Sequence, residues 1–233
     1  GSEAAKTGSH IVLLDNNFSS MPRVVFEGRR VINNIQNSSS LYLMKTFFTT
    51  IFAILSIISW ELYPFKTNNL MLLEFFVIGL PSFFLSLQPN KNRVQGKFLP
   101  YVLSRAIPCA IVLVLAVQST RFISAFQPDY FNNCYEEVST MIITFAGLVM
   151  LYRVCIPFNL FRTTLFIGMC ALCITALAVL PSAFLGRGYT PLGFVQMLYV
   201  IVVVLVSVPL SGAFIKIFEK LRINKKIEDR LGN

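Results

Sequence analysis

The sequence predicts an all-α polytopic membrane protein of six transmembrane helices, preceded by a strand–helix remnant of an α/β domain. Three observations carry this prediction. The chain has 233 residues, 55% of them hydrophobic and only 13% charged, whereas a soluble domain is about a quarter charged. Phe alone numbers 22, against 11 for Asp and Glu together. Six apolar stretches approach or exceed the roughly 20 residues that cross a bilayer. Together these exclude an ordinary soluble domain, a disordered chain and a collagen-like repeat. The formal charge of +9 raises the question of nucleic acid. The charges lie between the apolar runs, however, so no nucleic-acid partner is expected and the lipid bilayer is.

Residues 1–37 differ from the rest. Ile11-Val12-Leu13-Leu14, ending at Asp15, reads as a buried strand. Asn16 and Asn17 read as a turn. Ser19 or Ser20 is placed to cap a helix with Pro22 in its first turn. Val24, Val25, Gly28, Val31, Ile32 and Ile35 then recur at helical spacing, and the helix is expected to run through Asn33-Asn34 into the first span. One strand and one helix cannot form a domain alone. With no Met at position 1 and no signal peptide, a longer parent chain is expected.

The six spans within 38–218 are Ser39 to Trp60, Leu70 to Leu87, Tyr101 to Ile123, Val138 to Ile156, Thr164 to Leu185 and Gly193 to Phe218. Pro81, Pro108 and Pro209 fall inside spans, which membranes tolerate because neighbours re-satisfy the freed carbonyls. Lys91, Arg93, Lys97, Arg153, Arg162 and the six basic residues from Lys216 to Arg230 fall on one side. Only Lys66, Arg121 and Arg187 fall on the other. This bias of eleven to three predicts cytoplasmic termini in a multi-pass cell-membrane protein. The tail, 219–233, carries alternating apolar and basic residues and reads as a short amphipathic helix facing anionic lipid. Cys109, Cys134, Cys155, Cys170 and Cys173 read as packing residues, including the CxxC of Cys170 and Cys173.

The stretch SEAAKTGSHIVLLDNNFSSMPRVVFEGRRVINNI carries a resemblance. It is similar to the end of the HAD-like phosphorylation domain of P-type ATPases, the ATP-driven cation pumps. The matching positions are Ala5-Lys6, Ile11 to Asp15, Asn17 to Ser20, Glu27-Gly28-Arg29 and Asn33-Asn34-Ile35, with His10 where the family usually has Asp. The resemblance implies that residues 1–37 are the remnant of a cytoplasmic phosphorylation domain. It implies that the six spans are the fifth to tenth helices of a ten-helix pump. The second span resembles the sixth helix of calcium pumps around Gly79-Leu80-Pro81, in a bacterial branch of divalent-cation exporters. The DKTGT motif with the phosphorylated aspartate, the TGE loop and the GDGxNDxP segment are not in this sequence. Mg2+ and ATP therefore belong to the parent, no catalytic residue is expected in this stretch, and it should be inactive alone. Its implied partners are the actuator and nucleotide domains and the first four helices. The implied cargo is Ca2+, with Mn2+, Mg2+ or H+ as other choices. A stand-alone six-helix channel or accessory subunit is the alternative of a different class.

Glu74 is the only acidic residue deep in a span. A charge there costs roughly 2.5–3.5 kcal/mol, which marks it as functional by default. Hard cations take carboxylate, carbonyl and hydroxyl oxygens, so Glu74 is the leading metal ligand, against a protonated Glu bonded to a neighbouring helix. Ile78 stands where calcium pumps carry an Asp, which puts a second calcium site in doubt. Alignment puts Thr50 where calcium pumps carry a Glu. Thr50, Thr46 and Ser82 complete the candidate ligands, with Ser86 weaker, although membrane hydroxyls more often bond helix to helix. Lys45 reads as a snorkelling interfacial residue or a fixed counter-charge near the ion path.

Overall fold

The computed structural model describes residues 3–12, 17–60, 63, 65–89, 93–94, 97–186, 189 and 191–220. Six helices are long and apolar enough to cross a membrane, and no strand occurs among the described residues. The all-α polytopic class therefore holds. A short helix, α1 (Glu3–Gly8), precedes the region expected as a strand. Ile11 and Val12 belong to no regular element and are 61% and 41% exposed, while residues 13–16 lie outside the described residues. The expected strand is thus not seen at Ile11 and Val12, and its remaining positions lie outside the described residues.

A 3-10 turn (Phe18–Ser20) leads into α2 (Met21–Ile58), 38 residues long. Ser20 sits at the expected N-cap position with Pro22 behind it but makes no side-chain cap bond; Asn17 caps the 3-10 turn instead, its Oδ1 accepting from Ser19 N at 3.0 Å. No proline interrupts α2 beyond its first turn, so it continues unbroken into the first span. At its far end Phe48 and Phe52 stack with Tyr63 and Phe65 at centroid separations of 5.6–5.9 Å. This aromatic cluster fixes the return into the second span.

That span has three parts: α3 (Thr67–Leu72), a π-helical segment (Leu73–Gly79) and α4 (Leu80–Leu87). Next come α5 (Phe98–Phe126), the short α6 (Pro128–Phe131), a 3-10 turn (Asn132–Cys134) and α7 (Tyr135–Cys155). The fifth span is α8 (Leu160–Val179). Expected to reach Leu185, it breaks at Leu180 (φ −127°, ψ 47°), and a separate α9 (Pro181–Leu185) follows. The cause is Pro181, which disfavours helical geometry in the residue before it. The last span is α10 (Phe194–Lys220). The rest of the predicted amphipathic tail, 221–233, lies outside the described residues.

The core forms where α5 and α7 cross the other helices. The most apolar stretch of α7 is 83% buried, against 17% for α10. Hence α7 is the central pillar and α10 a peripheral helix with most of its surface left for lipid. α2 lies mainly along α5, and α10 packs on both α5 and α7. Small buried residues lie along these helices, notably Ala106 and Ala110 of α5 and Ala146 of α7, and Gly147 of α7 admits the second span at Leu73 and Val77.

Candidate cation site in the membrane

The second span is shaped by its sequence at Gly79-Leu80-Pro81. Pro81 has no N–H to donate, so a carbonyl in the preceding turn loses its ladder partner. The backbone answers by widening before the proline: the Leu80 N–H bonds Phe75 O, five residues back. Gly79 permits the tight approach, since a Cβ there would lie 3.0 Å from Glu74 O. Single π turns of this kind are often found at functional sites.

Glu74 sits in the first turn of this π segment. Its carboxylate accepts a hydrogen bond from Lys45 Nζ on α2, forming an ion pair between the first two spans. The side chains are 47% and 29% exposed, respectively. Lys45 is therefore engaged with the acid rather than snorkelling away from it. The two charges are visible in the sequence, one cation inside the first span and one acid inside the second, but their pairing is not. Among the described residues no cluster of three His, Cys, Asp or Glu is present. Further oxygens for a cation at Glu74 would thus come from carbonyls or hydroxyls.

The other candidates are arranged differently. Thr46 and Thr50 share an exposed face of α2. The Thr46 hydroxyl donates to Tyr42 O at 3.1 Å, and Thr49 donates to Lys45 O and Thr46 O at 3.0 and 3.1 Å. No hydrogen bond joins Thr46 or Thr50 to Glu74 among the described residues. Ser82 is buried, with an Oγ that has no hydrogen-bond partner, and lies two turns beyond Glu74. Ser86 donates to Phe83 O at 2.6 Å. Gln36 Nε2 and Asn34 Oδ1, on the adjoining part of α2, are likewise buried without partners.

Two braces hold the segment that carries Glu74. On one side Gly147 of α7 lies against it: a Cβ there would meet Leu73 Cδ1 at 2.5 Å. One turn earlier, buried Asn69 donates to Thr140 Oγ1 of α7 at 2.9 Å. On the other side α2 caps the end of α4. Asn34 Nδ2 donates to Ser86 O at 3.1 Å and Gln88 O at 2.8 Å, and Arg30 Nη2 donates to Leu87 O at 3.2 Å. The last carbonyls of a helix lack intrahelical donors, so these bonds satisfy groups that burial would otherwise strand. Buried Arg162, in the first turn of α8, donates to Gln88 Oε1 at 2.9 Å and completes the knot. Sequence reasoning missed this knot, because polar residues within a helix do not announce which carbonyls they will meet.

No protein-family model matches the chain. Individual relatives do. A probable cation-transporting ATPase, exp7, of Streptococcus pneumoniae is 31% identical over 178 residues, 72% of this chain and 22% of the relative. The calcium-transporting ATPase CtpE of Mycobacterium bovis is 33% identical over 179 residues, 71% of this chain and 22% of the relative. CtpE of Mycolicibacterium smegmatis is 40% identical over 123 residues, 48% of this chain and 16% of the relative. The matched part is thus about a fifth of the length of these curated relatives. Six helices able to cross a membrane, the EGR…NNI run on α2 and consistent similarity to pumps of one kind lead to a single assignment: the chain belongs to the P-type cation-transporting ATPases, of which it matches about a fifth.

Proposed function

We propose that this chain is the C-terminal membrane part of an ATP-driven pump that exports a divalent cation, Ca2+ by preference, with both ends of the chain in the cytoplasm. The observation that carries the reading is Glu74, an acid in the interior of the second span, on a π turn before Pro81 and opposed by Lys45. A carboxylate suits a hard cation, and the disrupted ladder next to it leaves carbonyl oxygen as further ligand. Lys45 acts as a resident counter-charge: it neutralises Glu74 when no cation is bound and must be displaced when one binds. The relatives named for calcium support the choice of ion. Residues 1–37 would close the phosphorylation domain, and α2 would join it to the site as a rod. Mg2+ and ATP would act on the parent's other domains, since the DKTGT motif is not in this stretch.

The test is Glu74→Ala in the parent pump. Cation-stimulated phosphorylation from ATP should be lost. Phosphorylation from inorganic phosphate, which by family resemblance runs in the ion-free state, should survive. A misfolded pump would lose both. Scanning Ca2+, Mn2+, Mg2+ and pH on the unaltered pump identifies the ion. Normal cation affinity in Glu74→Ala would refute the assignment of Glu74 as a ligand.

A further inference from the structure

An apolar groove of about 260 Å3 opens between α7, α8 and α10. Phe145, Val149 and Tyr152 of α7 line it with Cys170 of α8 and Val204 and Val208 of α10. Phe145 to Tyr152 spans two turns, so the groove runs about 10 Å along the helices. It lies within the spans, where the surrounding solvent is hydrocarbon.

One end of the groove is basic and preorganised. Arg153, in the last turn of α7, donates from Nη2 to Val208 O at 2.7 Å, and its Nε lies 3.4 Å from Ser211 Oγ. Gly212 makes the room, since a Cβ there would lie 2.6 Å from Nη2. A snorkelling arginine trails into water; this one is pinned across α10, beside the groove. Arg105, in the second turn of α5, and Arg162, in the first turn of α8, belong to the same end of the bundle. Among the described residues none of the three pairs with a carboxylate. The only acids between Glu74 and Glu219 are Asp129, Glu136 and Glu137, at the opposite end. Glu219 lies eight residues past Ser211, about 12 Å further along α10. Tyr152, Phe158 and Phe166 close the flank at the same level, with ring centroids 5.3–6.2 Å apart. Aromatic rings favour that interfacial depth.

We propose that the groove binds one anionic glycerophospholipid, with an acyl chain between α7, α8 and α10 and the phosphate on the Arg153 guanidinium. The apolar walls fit a hydrocarbon chain and nothing polar. The planar guanidinium fork suits a phosphate. The surplus of positive charge at this end selects an anionic headgroup over a zwitterionic one. The site does not depend on the ion or on the pump reading.

The test is native mass spectrometry of the intact protein in non-ionic detergent, with phosphatidylglycerol or phosphatidylcholine added in equal amounts. One phosphatidylglycerol should be retained in preference to phosphatidylcholine. Arg153→Gln should weaken that retention by roughly tenfold, the lower end for losing a hydrogen bond to a charged group. Arg153→Lys should keep part of it. Val204→Trp, which fills the groove and leaves Arg153 in place, should lower retention of both lipids. Arg93→Gln should have no effect. Equal retention of the two lipids by the unaltered protein would overturn the proposal. So would unchanged retention in Val204→Trp, or an Arg93→Gln effect as large as that of Arg153→Gln, which would mean a diffuse basic surface. The unaltered-protein comparison and Val204→Trp keep the test decisive if Arg153→Gln fails to fold.

Discussion

Replacing Lys45 by Met should raise the cation affinity of the parent pump. Lys45 Nζ occupies the Glu74 carboxylate, so a cation that binds there must first displace it. An exposed ion pair is worth about 0.2–1 kcal/mol, and a buried hydrogen bond to a charged group about 1.5–3 kcal/mol. Side-chain exposures of 29% and 47% put this pair between those limits, at about 1–2 kcal/mol, or a factor of roughly 5–30 in affinity. Met keeps the length and apolar stem of Lys without its charge. The assay is the cation concentration for half-maximal phosphorylation from ATP, compared between the unaltered pump and Lys45→Met. A several-fold lower value is expected. A fall in cation affinity would refute the reasoning, because it would make Lys45 a support for the ligand set rather than a competitor.

Other consequences can be measured on stability. Gly147→Ala places a Cβ 2.5 Å from Leu73 Cδ1; it should cost about 1 kcal/mol, the low end for overpacking because a leucine tip can shift, read as a lower melting temperature in detergent. Asn34→Ala removes both donors to Ser86 O and Gln88 O and should cost about 1–3 kcal/mol; an unchanged melting curve would show that the knot at the end of α4 contributes nothing. The Glu136 carboxylate, by hydrogen bond and charge, holds the Lys66 ammonium above its ordinary value of 10.5. A raised folded value means that the pair's contribution is present below the ordinary value and fades as pH rises through the folded one. Any melting difference between the unaltered protein and Lys66→Met at about pH 8 should therefore shrink as pH is raised beyond the ordinary lysine range, and a difference that grows with pH would contradict the assignment.

How much was legible depended on whether the signal was local. Composition and run length predicted six spans, because bilayer thickness imposes a length that the sequence must meet. The long α2 was legible because nothing in Val24 to Ile58 breaks a helix. The break at Leu180 was misread as continuous helix, since hydropathy continued to Leu185 while Pro181 had already ended the geometry. Ile11 and Val12 read as the start of a strand but lie in no regular element: a strand depends on a neighbour to pair with, and pairing is not a local property. In the site, Glu74 was visible as an isolated charge in an apolar run. Its pairing with Lys45 was not, because that depends on the rotation of two helices about their own axes. The knot of Asn34, Gln88 and Arg162 was invisible for the same reason: its bonds cross 54 and 74 positions of sequence.

The same geometry bears on how the proposed pump would couple its domains to the ion. α2 grips the second span at two points: Asn34 and Arg30 at the carbonyls ending α4, and Lys45 at Glu74 in the π segment. Asn34 and Lys45 are eleven residues apart, about 16 Å along the helix. Between the two grips lies the Pro81 turn, the least rigid part of the second span, because its hydrogen-bond ladder is interrupted there. A movement of α2 imposed from its N-terminal end would pull on α4 through the knot while α7 holds the π segment at Gly147 and Asn69. Relative motion would then concentrate at the turn beside Glu74. The strong grip is at the ladder end and the exchangeable one is at the carboxylate, so a cation arriving at Glu74 would release α2 at one point and leave it tied at the other. That asymmetry gives ion occupancy a mechanical consequence without requiring α2 itself to bend.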